Sequence, residues 1–369
     1  MSVSIKVLSV LIAGLFFTGD PKGEENMNQN DGPYVVYKDD HIEVKSIVLE
    51  NGVRNIEKLT YKDRKSVAPL KIRFSNHPDW DFTVKLQPKL ENEPVEFKAP
   101  DKIFAISDIE GEFEAFRNLL IANKIIDNQY NWIFGKGHMV ICGDLFDRGK
   151  EVPATLWLLY KLEQDARAKG GYVHTILGNH DIMNLSGDVR YVTPKYFENA
   201  KFLNAEYMEL YAPDTELGRW LRSKNLIEKI GDNLCLHAGV APAINGLNMS
   251  LEEINKICRP NYDKAKKKDQ FTDQRALVFF DGTKSSLFWY RGYFNEPKIE
   301  EKDLDETLNL YKVKRVIVGH TIIPSNVGFY YNAKVLGLDV NQHKDQHEAA
   351  LYENKQWYKV NTTGSKVLL

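Results

Sequence analysis

The sequence predicts an α/β protein, in which a layered domain of strands and helices follows a small β-rich N-terminal module. Two observations predict this fold class. After Pro100, short apolar runs alternate with segments whose apolar residues recur at helical spacing, which is typical of α/β layers. Before Pro100, short alternating runs are separated by turn residues, as in small sheets. A chain of 369 residues is long enough for one large domain with such an appendage.

The composition excludes several classes of protein. Hydrophobic residues form 43% of the chain and charged residues 27%, which is ordinary for a globular protein and argues against a disordered or fibrous one. The formal net charge of -2 argues against nonspecific nucleic-acid binding, so no nucleic-acid partner is expected. Three cysteines, an odd number, cannot form a fully paired disulfide framework. Cys142 and Cys235 lie in apolar runs, where buried free thiols are expected.

The N-terminus has the features of a signal peptide over residues 1–19. Lys6 precedes an apolar run, residues 7–17, that is too short to span a bilayer as a helix. We therefore expect an exported protein, periplasmic or secreted, with no stable membrane span after processing. An N-terminal membrane anchor or a buried helix stays open as an alternative, because no small-x-small cleavage pattern is present. Residues 20–32 are poor in apolar side chains and are predicted to form a flexible linker.

The β-rich N-terminal module is predicted over residues 33–100. Its alternating runs include residues 34–37, 42–44 and 70–74, and one of its turn signals is Asn51-Gly52. None of its residues form a constellation that points to chemistry, so a structural role is expected for this module.

The domain that carries the chemistry is predicted over residues 101–369. Its helical segments are expected within residues 113–126, 156–162 and most of 194–228. Its strands are expected at residues 102–107, 138–143, 172–177, 233–237 and 315–319, with a β-rich ending at 335–339, 349–352 and 357–360.

Five polar clusters follow apolar runs of this domain. In chain order they are Ser107-Asp108-Ile109-Glu110-Gly111, Gly143-Asp144-Leu145-Phe146-Asp147-Arg148-Gly149, Gly178-Asn179-His180-Asp181, His237-Ala238-Gly239 and Val318-Gly319-His320-Thr321. Ligands of open α/β layers collect at the carboxyl ends of strands, so these clusters can converge. Carboxylate, amide and imidazole groups together match a site for divalent cations, and a pair of such ions activates water for attack on phosphate. Any one cluster alone would suit a turn or a helix cap, but the five together predict a metal site.

The same clusters carry a resemblance to a known family. Their order, Asp-x-Glu, Gly-Asp-x-x-Asp-Arg-Gly, Gly-Asn-His-Asp, His-Ala-Gly and Gly-His, resembles the pattern of the calcineurin-like metallophosphoesterases. Asp147-Arg148-Gly149 is similar to the protein-phosphatase-like branch, and residues 183–192 and 287–292 resemble the Shewanella-like protein phosphatases. The resemblance covers residues 101 to 340, and it implies a layered metallophosphoesterase-type β-sandwich flanked by helices.

The resemblance implies two divalent metal ions. It suggests that Asp108 and Asp144 hold the first ion, with Asp144 bridging both, and that the second is completed by Asn179, His237 and His320.

Glu110 is a departure, because the family usually has histidine at this position. If Glu110 binds the first ion, its oxygen should shift the preference away from zinc toward Mn or Mg. Mn is therefore favoured, with Mg, Fe or Zn as alternatives. The other interpretation is that Glu110 does not reach the metal and that water takes its place.

The resemblance also implies a proton donor and a phosphate clamp. His180 would give a proton to the leaving-group oxygen, and Asp147 would orient its imidazole. Arg148 and Arg291 would bind the phosphate through paired hydrogen bonds. Arg190 is a third candidate for substrate binding.

Two of these arginines have a structural alternative. Asp188, near Arg190, could hold that guanidinium in an ion pair, and Arg291 could instead be a surface arginine packed beside Trp289.

The predicted function is hydrolysis of phosphomonoesters by a metal-dependent phosphatase, acting on phosphoprotein, including phosphotyrosine as in the resembling family, or on small phosphoesters. One alternative is a phosphodiesterase or nucleotidase of the same superfamily. Thr321 and Ile322 argue against it, because diesterase-type relatives often carry a further histidine after the equivalent of His320. The other alternative is a non-catalytic phosphoprotein-binding module, which Glu110 would suggest but which would not need a proton donor at His180.

Overall fold

A computed structural model of the chain describes residues 29–344 and 346–369. The predicted signal peptide, residues 1–19, and residues 20–28 of the predicted linker lie outside the described residues. Within the described part of the chain, no helix combines the length and the apolar composition that crossing a membrane requires.

The described residues form seventeen strands. In chain order they are β1 (Asp31–Tyr37), β2 (Ile42–Glu50), β3 (Val53–Tyr61), β4 (Leu70–Ile72), β5 (Phe82–Val84), β6 (Glu96–Phe97), β7 (Ile103–Ile106), β8 (His138–Cys142), β9 (Tyr172–Ile176), β10 (Ile227–Ile230), β11 (Asn233–Leu236), β12 (Arg315–Val318), β13 (Gly328–Tyr330), β14 (Val335–Gly337), β15 (Glu348–Glu353), β16 (Gln356–Asn361) and β17 (Lys366–Leu368).

Helices cover the outer faces of the sheets. The α-helices are α1 (Phe113–Ala122), α2 (Val152–Ala168), α3 (Asn179–Ser186), α4 (Pro194–Phe202), α5 (Glu216–Arg222), α6 (Pro242–Asn245), α7 (Leu251–Cys258), α8 (Gly282–Ser285) and α9 (Glu301–Tyr311). Short 3-10 helices lie at Arg64–Ser66, Pro78–Trp80, Tyr207–Tyr211, Arg259–Lys264, Lys268–Gln270, Gln274–Phe280 and Gln342–Lys344.

Two six-stranded sheets form the centre of the fold, which confirms the predicted α/β class. Their strand orders are β13-β14-β12-β11-β10-β6 and β17-β16-β15-β7-β8-β9. Strands β7, β8 and β9 run parallel, as do β11, β12 and β14, so the carboxyl ends within each group point to one edge of its sheet. Loops that follow these six strands can therefore meet.

Alternate residues of the central strands face two different cores. On β7, Ile103 and Ala105 lie in a core that also contains residues of β12 and β14, whereas Phe104 and Ile106 join the larger core shared with the helices. The two sheets therefore pack face to face, as the predicted sandwich requires. Because both faces of such strands are buried, their sequences are continuous apolar runs.

The predicted strands end close to where the structure ends them. Strands β7, β8 and β9 stop at Ile106, Cys142 and Ile176, one residue before each predicted end. The backbone then turns sharply, since Asp108 and Gly143 have φ angles of 52° and 83°. A left-handed backbone cannot continue the strand ladder, so the polar clusters begin in loops rather than on strands.

Residues 194–228 are less helical than predicted. The segment contains α4 and α5, but its last two residues, Ile227 and Glu228, belong to β10 and pair with Leu236 and Cys235 of β11. The three cysteines are free and buried, as was expected for Cys142 and Cys235.

The N-terminal strands pack directly on the larger layers. Asn51 and Gly52, with φ angles of 51° and 78°, form the two-residue turn between β2 and β3. Strand β1 begins at Asp31, inside the predicted linker, and the Asp31 carboxylate accepts hydrogen bonds from Tyr34 Oη and Asn199 Nδ2, both 2.7 Å. The buried apolar residues of β1 and β2 belong to the same core as those of the helices.

A buried charge cluster joins this N-terminal region to the sheets. Lys224, whose side chain is 1% exposed, donates hydrogen bonds to Glu93 Oε1 at 2.7 Å and Glu163 Oε1 at 2.6 Å. Burial raises the pKa of Glu93, but the charges of Lys224 and Arg167 lower it by more, to about 2. The Glu93 carboxylate is therefore ionised at neutral pH, and both carboxylates accept hydrogen bonds from the lysine.

We expect Lys224→Met to destabilise the protein by about 3–5 kcal/mol, because it leaves Glu163 buried without the lysine that pairs with it and leaves Glu93 with Arg167 as its remaining cationic partner. Denaturant unfolding followed by circular dichroism measures the change. The matched control is Lys314→Met, since Lys314 is an exposed partner of Asp232 and should contribute little. Equal unfolding midpoints for the two variants would contradict the importance of the buried cluster.

Candidate functional site

The polar clusters meet at one cavity of about 320 Å³. It lies beyond the carboxyl ends of β7, β8, β9, β12 and β14. It is lined by Asp108, Glu110, Asp144, Arg148, Asn179, His180, Tyr191, Trp289, Arg291, Asn295, His320, Thr321, Ile322, Asp339, Asn341 and Gln342. His237 is fully buried beneath these residues and hydrogen-bonds to Asn179. The structure therefore brings together all the predicted site residues except Arg190.

The loops of the cavity contain an unusual concentration of left-handed backbone. A positive φ is uncommon for residues other than glycine, and each instance costs free energy that the surrounding structure must offset. Such residues concentrate at functional sites. In these loops they are Asp108, Glu110, Asp144, Asp147, Arg148, His320 and Asn341, with φ between 45° and 76°.

Glycines let the loops approach the carboxylates closely. A Cβ atom on Gly178 would lie 2.1 Å from Asp144 Oδ1, and one on Gly319 would lie 2.3 Å from Asp108 Oδ2. Any larger residue would displace a candidate ligand. The glycines in the Gly-Asn-His and Gly-His patterns are thus explained by this packing.

One candidate metal group consists of Asp144, His237 and His320, which are all buried and offer ligand atoms within 4.8 Å of one another. His237 Nδ1 donates to the carbonyl of Cys142 at 2.7 Å, and this directs Nε2 toward Asp144 Oδ2, 3.1 Å away. Asn179 Oδ1 lies 2.9 Å from the same Nε2. His320 Nε2 faces the carbonyl of Trp289 at 3.3 Å, which leaves Nδ1 available as a ligand atom.

The second candidate group consists of Glu110, Asp144 and His180, also within 4.8 Å. Glu110 is 1% exposed, and its Oε1 accepts a hydrogen bond from Arg148 Nη1 and lies 3.6 Å from His180 Nε2. The Glu110 carboxylate therefore lies inside the site, next to the bridging candidate. Asp108 lies at the same wall of the cavity, where its Oδ2 accepts a hydrogen bond from the backbone N–H of His320 at 3.0 Å.

The electrostatics of the site favour a bound cation. Burial lowers the pKa of His237, but the negative charge of Asp144 raises it by more, to about 9, so this histidine holds a proton beside the carboxylates. Burial raises the pKa of Asp108, and the charge of Asp144 adds to that shift. The negative charge of these buried carboxylates raises the pKa of neighbouring groups. A divalent cation in the same place would stabilise that negative charge instead of the protons. The oxygen and imidazole donors present fit such an ion.

A chain of hydrogen bonds fixes the orientation of His180. Its Nδ1–H donates to Asp147 Oδ2 at 2.6 Å, and Asp147 Oδ1 accepts from Asn184 Nδ2 at 2.9 Å. Tyr207 Oη in turn donates to Asn184 Oδ1 at 2.6 Å. Burial lowers the pKa of His180, but Asp144 and Asp147 raise it by more, so it lies above its ordinary value. Nε2 is left facing the cavity, as a proton donor requires.

Asp181 supports the loops although no role was predicted for it. Its buried carboxylate accepts hydrogen bonds from the backbone N–H groups of Asp144 at 3.0 Å, Leu145 at 2.8 Å and Gly178 at 2.7 Å. Burial and the charge of Asp144 raise its pKa to about 7. The sequence signal was its position three residues after Gly178, which is typical of a helix-capping residue.

The three candidate arginines differ in position. Arg148 and Arg291 line the cavity, and Arg291 Nη1 donates to the carbonyl of His320 at 2.9 Å. Arg190 is 62% exposed, lies outside the cavity lining, and forms the alternative ion pair with Asp188, in which Nε and Oδ1 are 2.9 Å apart. The structure therefore brings two of the three guanidiniums to the site.

Other lining residues were missed by sequence reasoning. Asp339 and Asn341 follow β14, and burial together with the charge of Asp108 raises the pKa of Asp339 to about 7. Trp289 packs edge-on against His320, with ring centroids 5.7 Å apart. The residues around Asp339 and Asn341 form no metal-ligand pattern in the sequence. Only the pairing of β14 with β12 places these two residues at the site.

Comparisons with known proteins identify the family of this chain. Residues 101–324 match the family model of the calcineurin-like phosphoesterases. The chain is 27% identical to Shewanella-like protein phosphatase 2 of Arabidopsis thaliana, covering 70% of this chain and 76% of that protein. It is 31% identical to Shewanella-like protein phosphatase 1 of Plasmodium berghei (strain Anka), covering 67% and 69%.

A solved structure is also similar. The cold-active protein-tyrosine phosphatase of a psychrophilic Shewanella species superimposes with a TM-score of 0.81 at 34% identity, covering 92% of this chain and 99% of that one. These findings confirm the predicted resemblance.

Proposed function

Because the chain belongs to the calcineurin-like phosphoesterase family, and within it to the Shewanella-like protein phosphatases, we propose that it hydrolyses phosphotyrosine in proteins. It is a metal-dependent phosphatase. The observation that carries the substrate proposal is the likeness, over 92% of this chain, to a solved protein-tyrosine phosphatase. Small phosphomonoesters would enter the same cavity.

The residues of the cavity divide into two ligand sets. Asp108, Glu110 and Asp144, which all line the cavity, would hold one divalent ion, while Asp144 would also bind the other together with Asn179, His237 and His320. His180 lies close enough to Glu110 and Asp144 to be a ligand, but we assign it the role of proton donor. When bound, such ions supply an activated water and neutralise negative charge on the phosphate.

The chain's own groups perform the remaining steps. His180 Nε2 gives its proton to the leaving-group oxygen, while Asp147 holds the ring through Nδ1. Arg148 and Arg291 bind unesterified phosphate oxygens, for which a planar guanidinium offers paired donors. A monoester presents three such oxygens and a diester only two, so the two arginines favour monoesters over the phosphodiester alternative.

Glu110 supports Mn as the native metal. With Asp108 and Asp144 it makes an oxygen-only set on one side of the site, and oxygen donors suit Mn and Mg better than the softer ions. Glu110 also accepts a hydrogen bond from Arg148 Nη1, so this candidate metal ligand positions one of the two arginines that bind the phosphate.

We expect chelation to abolish turnover and Mn to restore more of it than Zn. The experiment uses the full chain, stripped of metal and titrated with each ion, and follows both aryl phosphate monoester hydrolysis and thermal unfolding. The matching aryl diester is the control substrate and should be hydrolysed much more slowly.

Turnover that survives complete chelation, or a preference for the diester, would contradict this proposal. A thermal shift with Mn but no turnover of any monoester would instead favour the binding-protein alternative.

A further inference from the structure

Tyr191 lies in the catalytic cavity without a role in the chemistry described above. It is 45% exposed, and its ring centroid is 5.1 Å from that of the His180 imidazole, with an angle of 42° between the ring planes. Most aromatic rings of the protein are buried in the core, so an exposed ring beside the proposed proton donor calls for an explanation.

The position of His180 determines where the leaving group must lie. Nδ1 is occupied by Asp147, so the proton leaves from Nε2, and the leaving-group oxygen must be within hydrogen-bond reach of that atom. The substituent on this oxygen then extends away from the phosphate, on the His180 side of the cavity. Tyr191 is the aromatic lining residue in contact with His180.

The other aromatic residue of the cavity lies elsewhere. Trp289 packs against His320, which belongs to the candidate metal group that does not include His180. Trp289 therefore lies beside His320, whereas Tyr191 lies beside the proposed proton donor.

We propose that Tyr191 binds the aromatic ring of the leaving group and thereby selects aryl over alkyl phosphate monoesters. The inference rests on the proposed function and deepens it by naming a residue that distinguishes phosphotyrosine from phosphoserine. Offset or edge-to-face packing of two rings is favourable beyond the area that it buries, and an alkyl side chain offers no such partner.

The surroundings of Tyr191 hold its ring in place. Its carbonyl accepts a hydrogen bond from the backbone N–H of Arg148 at 3.4 Å, which ties it to the phosphate clamp. The guanidinium carbons of Arg148 and Arg190 both lie 5.9 Å from the ring centroid. The ion pair with Asp188 fixes the position of Arg190, and it thereby holds a cation beside the Tyr191 ring at the edge of the cavity.

The test compares two peptides that differ only in carrying phosphotyrosine or phosphoserine. With the full-length, Mn-loaded protein, Tyr191→Ala should raise KM for the phosphotyrosine peptide about 10-fold, which corresponds to the loss of one aromatic contact. Its kcat on that peptide and its KM for the phosphoserine peptide should stay within about twofold of the wild type. Tyr191→Phe keeps the ring and should keep the wild-type KM.

A control variant and an inhibitor comparison test the same inference. Leu247→Ala, which removes a side chain that is exposed outside the cavity, controls for general effects of substitution and should change neither KM. Inhibition by phenylphosphonate should weaken in Tyr191→Ala, whereas inhibition by methylphosphonate should not, and this comparison does not need phosphoserine turnover.

An unchanged KM in Tyr191→Ala, or equal losses for both peptides and both phosphonates, would overturn the inference while leaving the phosphatase assignment intact. Wild-type protein that hydrolyses neither phosphotyrosine peptide nor aryl phosphate would overturn the proposed substrate itself, and the inference with it.

Discussion

Asp144→Asn is expected to lower phosphatase turnover by about a thousandfold or more and to weaken metal binding in the same variant. Asp144 belongs to both candidate metal groups, so its substitution affects both at once. Loss of the several kcal/mol that bound cations contribute to transition-state stabilisation corresponds to a rate change of this size.

The substitution should leave the fold intact. Asparagine has the shape of aspartate and retains an oxygen that can accept the hydrogen bond from the backbone N–H of His180, which is 2.9 Å long in the structure. What changes is the charge. In the metal-free protein, the pKa of His237 should fall from its raised value of about 9, because the charge of Asp144 is what opposes the effect of burial.

Three measurements check this prediction: turnover with saturating Mn, calorimetric titration of Mn, and the pKa of His237 by NMR in chelated protein. Asp232→Asn is the matched control. Asp232 pairs with Lys314 on the surface, so this substitution removes the same charge away from the cavity. Retention of more than a tenth of the wild-type turnover by Asp144→Asn would refute the shared-ligand role.

The sequence predicted those site residues whose positions depend on the strand directly before them. Asp108, Asp144 and Asn179 follow apolar strands within two or three residues, and the end of a buried parallel strand fixes where the next side chains go. The order of the clusters then added a family resemblance. No knowledge of which strands are neighbours was needed to place these residues at one edge.

The remaining features depend on contacts between distant segments. Asp339 reaches the cavity only because β14 pairs with β12, and no pattern around it distinguishes it from a turn aspartate. Arg190 was a candidate for substrate binding, but its pairing with Asp188 holds it outside the cavity lining. Tyr191 follows Arg190 directly, and its position beside His180 is a tertiary contact.

The first strand illustrates the same limit. Asp31 and Gly32 have the composition of a linker, yet Asp31 is 9% exposed and pairs with Ile47 in the sheet. Its carboxylate is stabilised by Asn199, a residue of α4 that lies 168 positions further along the chain. The polar composition of this segment predicted a flexible linker, but the long-range hydrogen bond holds Asp31 in the sheet.

His180→Asn is expected to lower turnover by about 10²–10⁴-fold, with the loss depending on the leaving group. A leaving group of high pKa, such as the tyrosine phenolate, needs a proton as its bond to phosphorus breaks. An aryl phosphate with a nitro-substituted ring leaves as a stable anion and needs it less. The variant should therefore lose most of its activity on phosphotyrosine and much less on the nitrophenyl ester.

The pH profile provides an independent readout of the same role. The pKa of His180 is raised above its ordinary value, because the charges of Asp144 and Asp147 outweigh the effect of burial. The protonated donor should therefore persist to higher pH than an unperturbed histidine would, and phosphotyrosine turnover should fall only above that raised pKa. Asp147→Asn removes one of the charges that raise it, so this basic limb should move to lower pH.

The two readouts together separate proton donation from positioning. If His180 only oriented the phosphate, the asparagine variant would lose equal factors on good and poor leaving groups, and its basic limb would remain. If it donates the proton, the loss grows with the pKa of the leaving group and the basic limb disappears in His180→Asn. The hydrogen bond from Nδ1 to Asp147 favours the second result, because it holds the other nitrogen toward the cavity and the carboxylate raises the pKa of the ring.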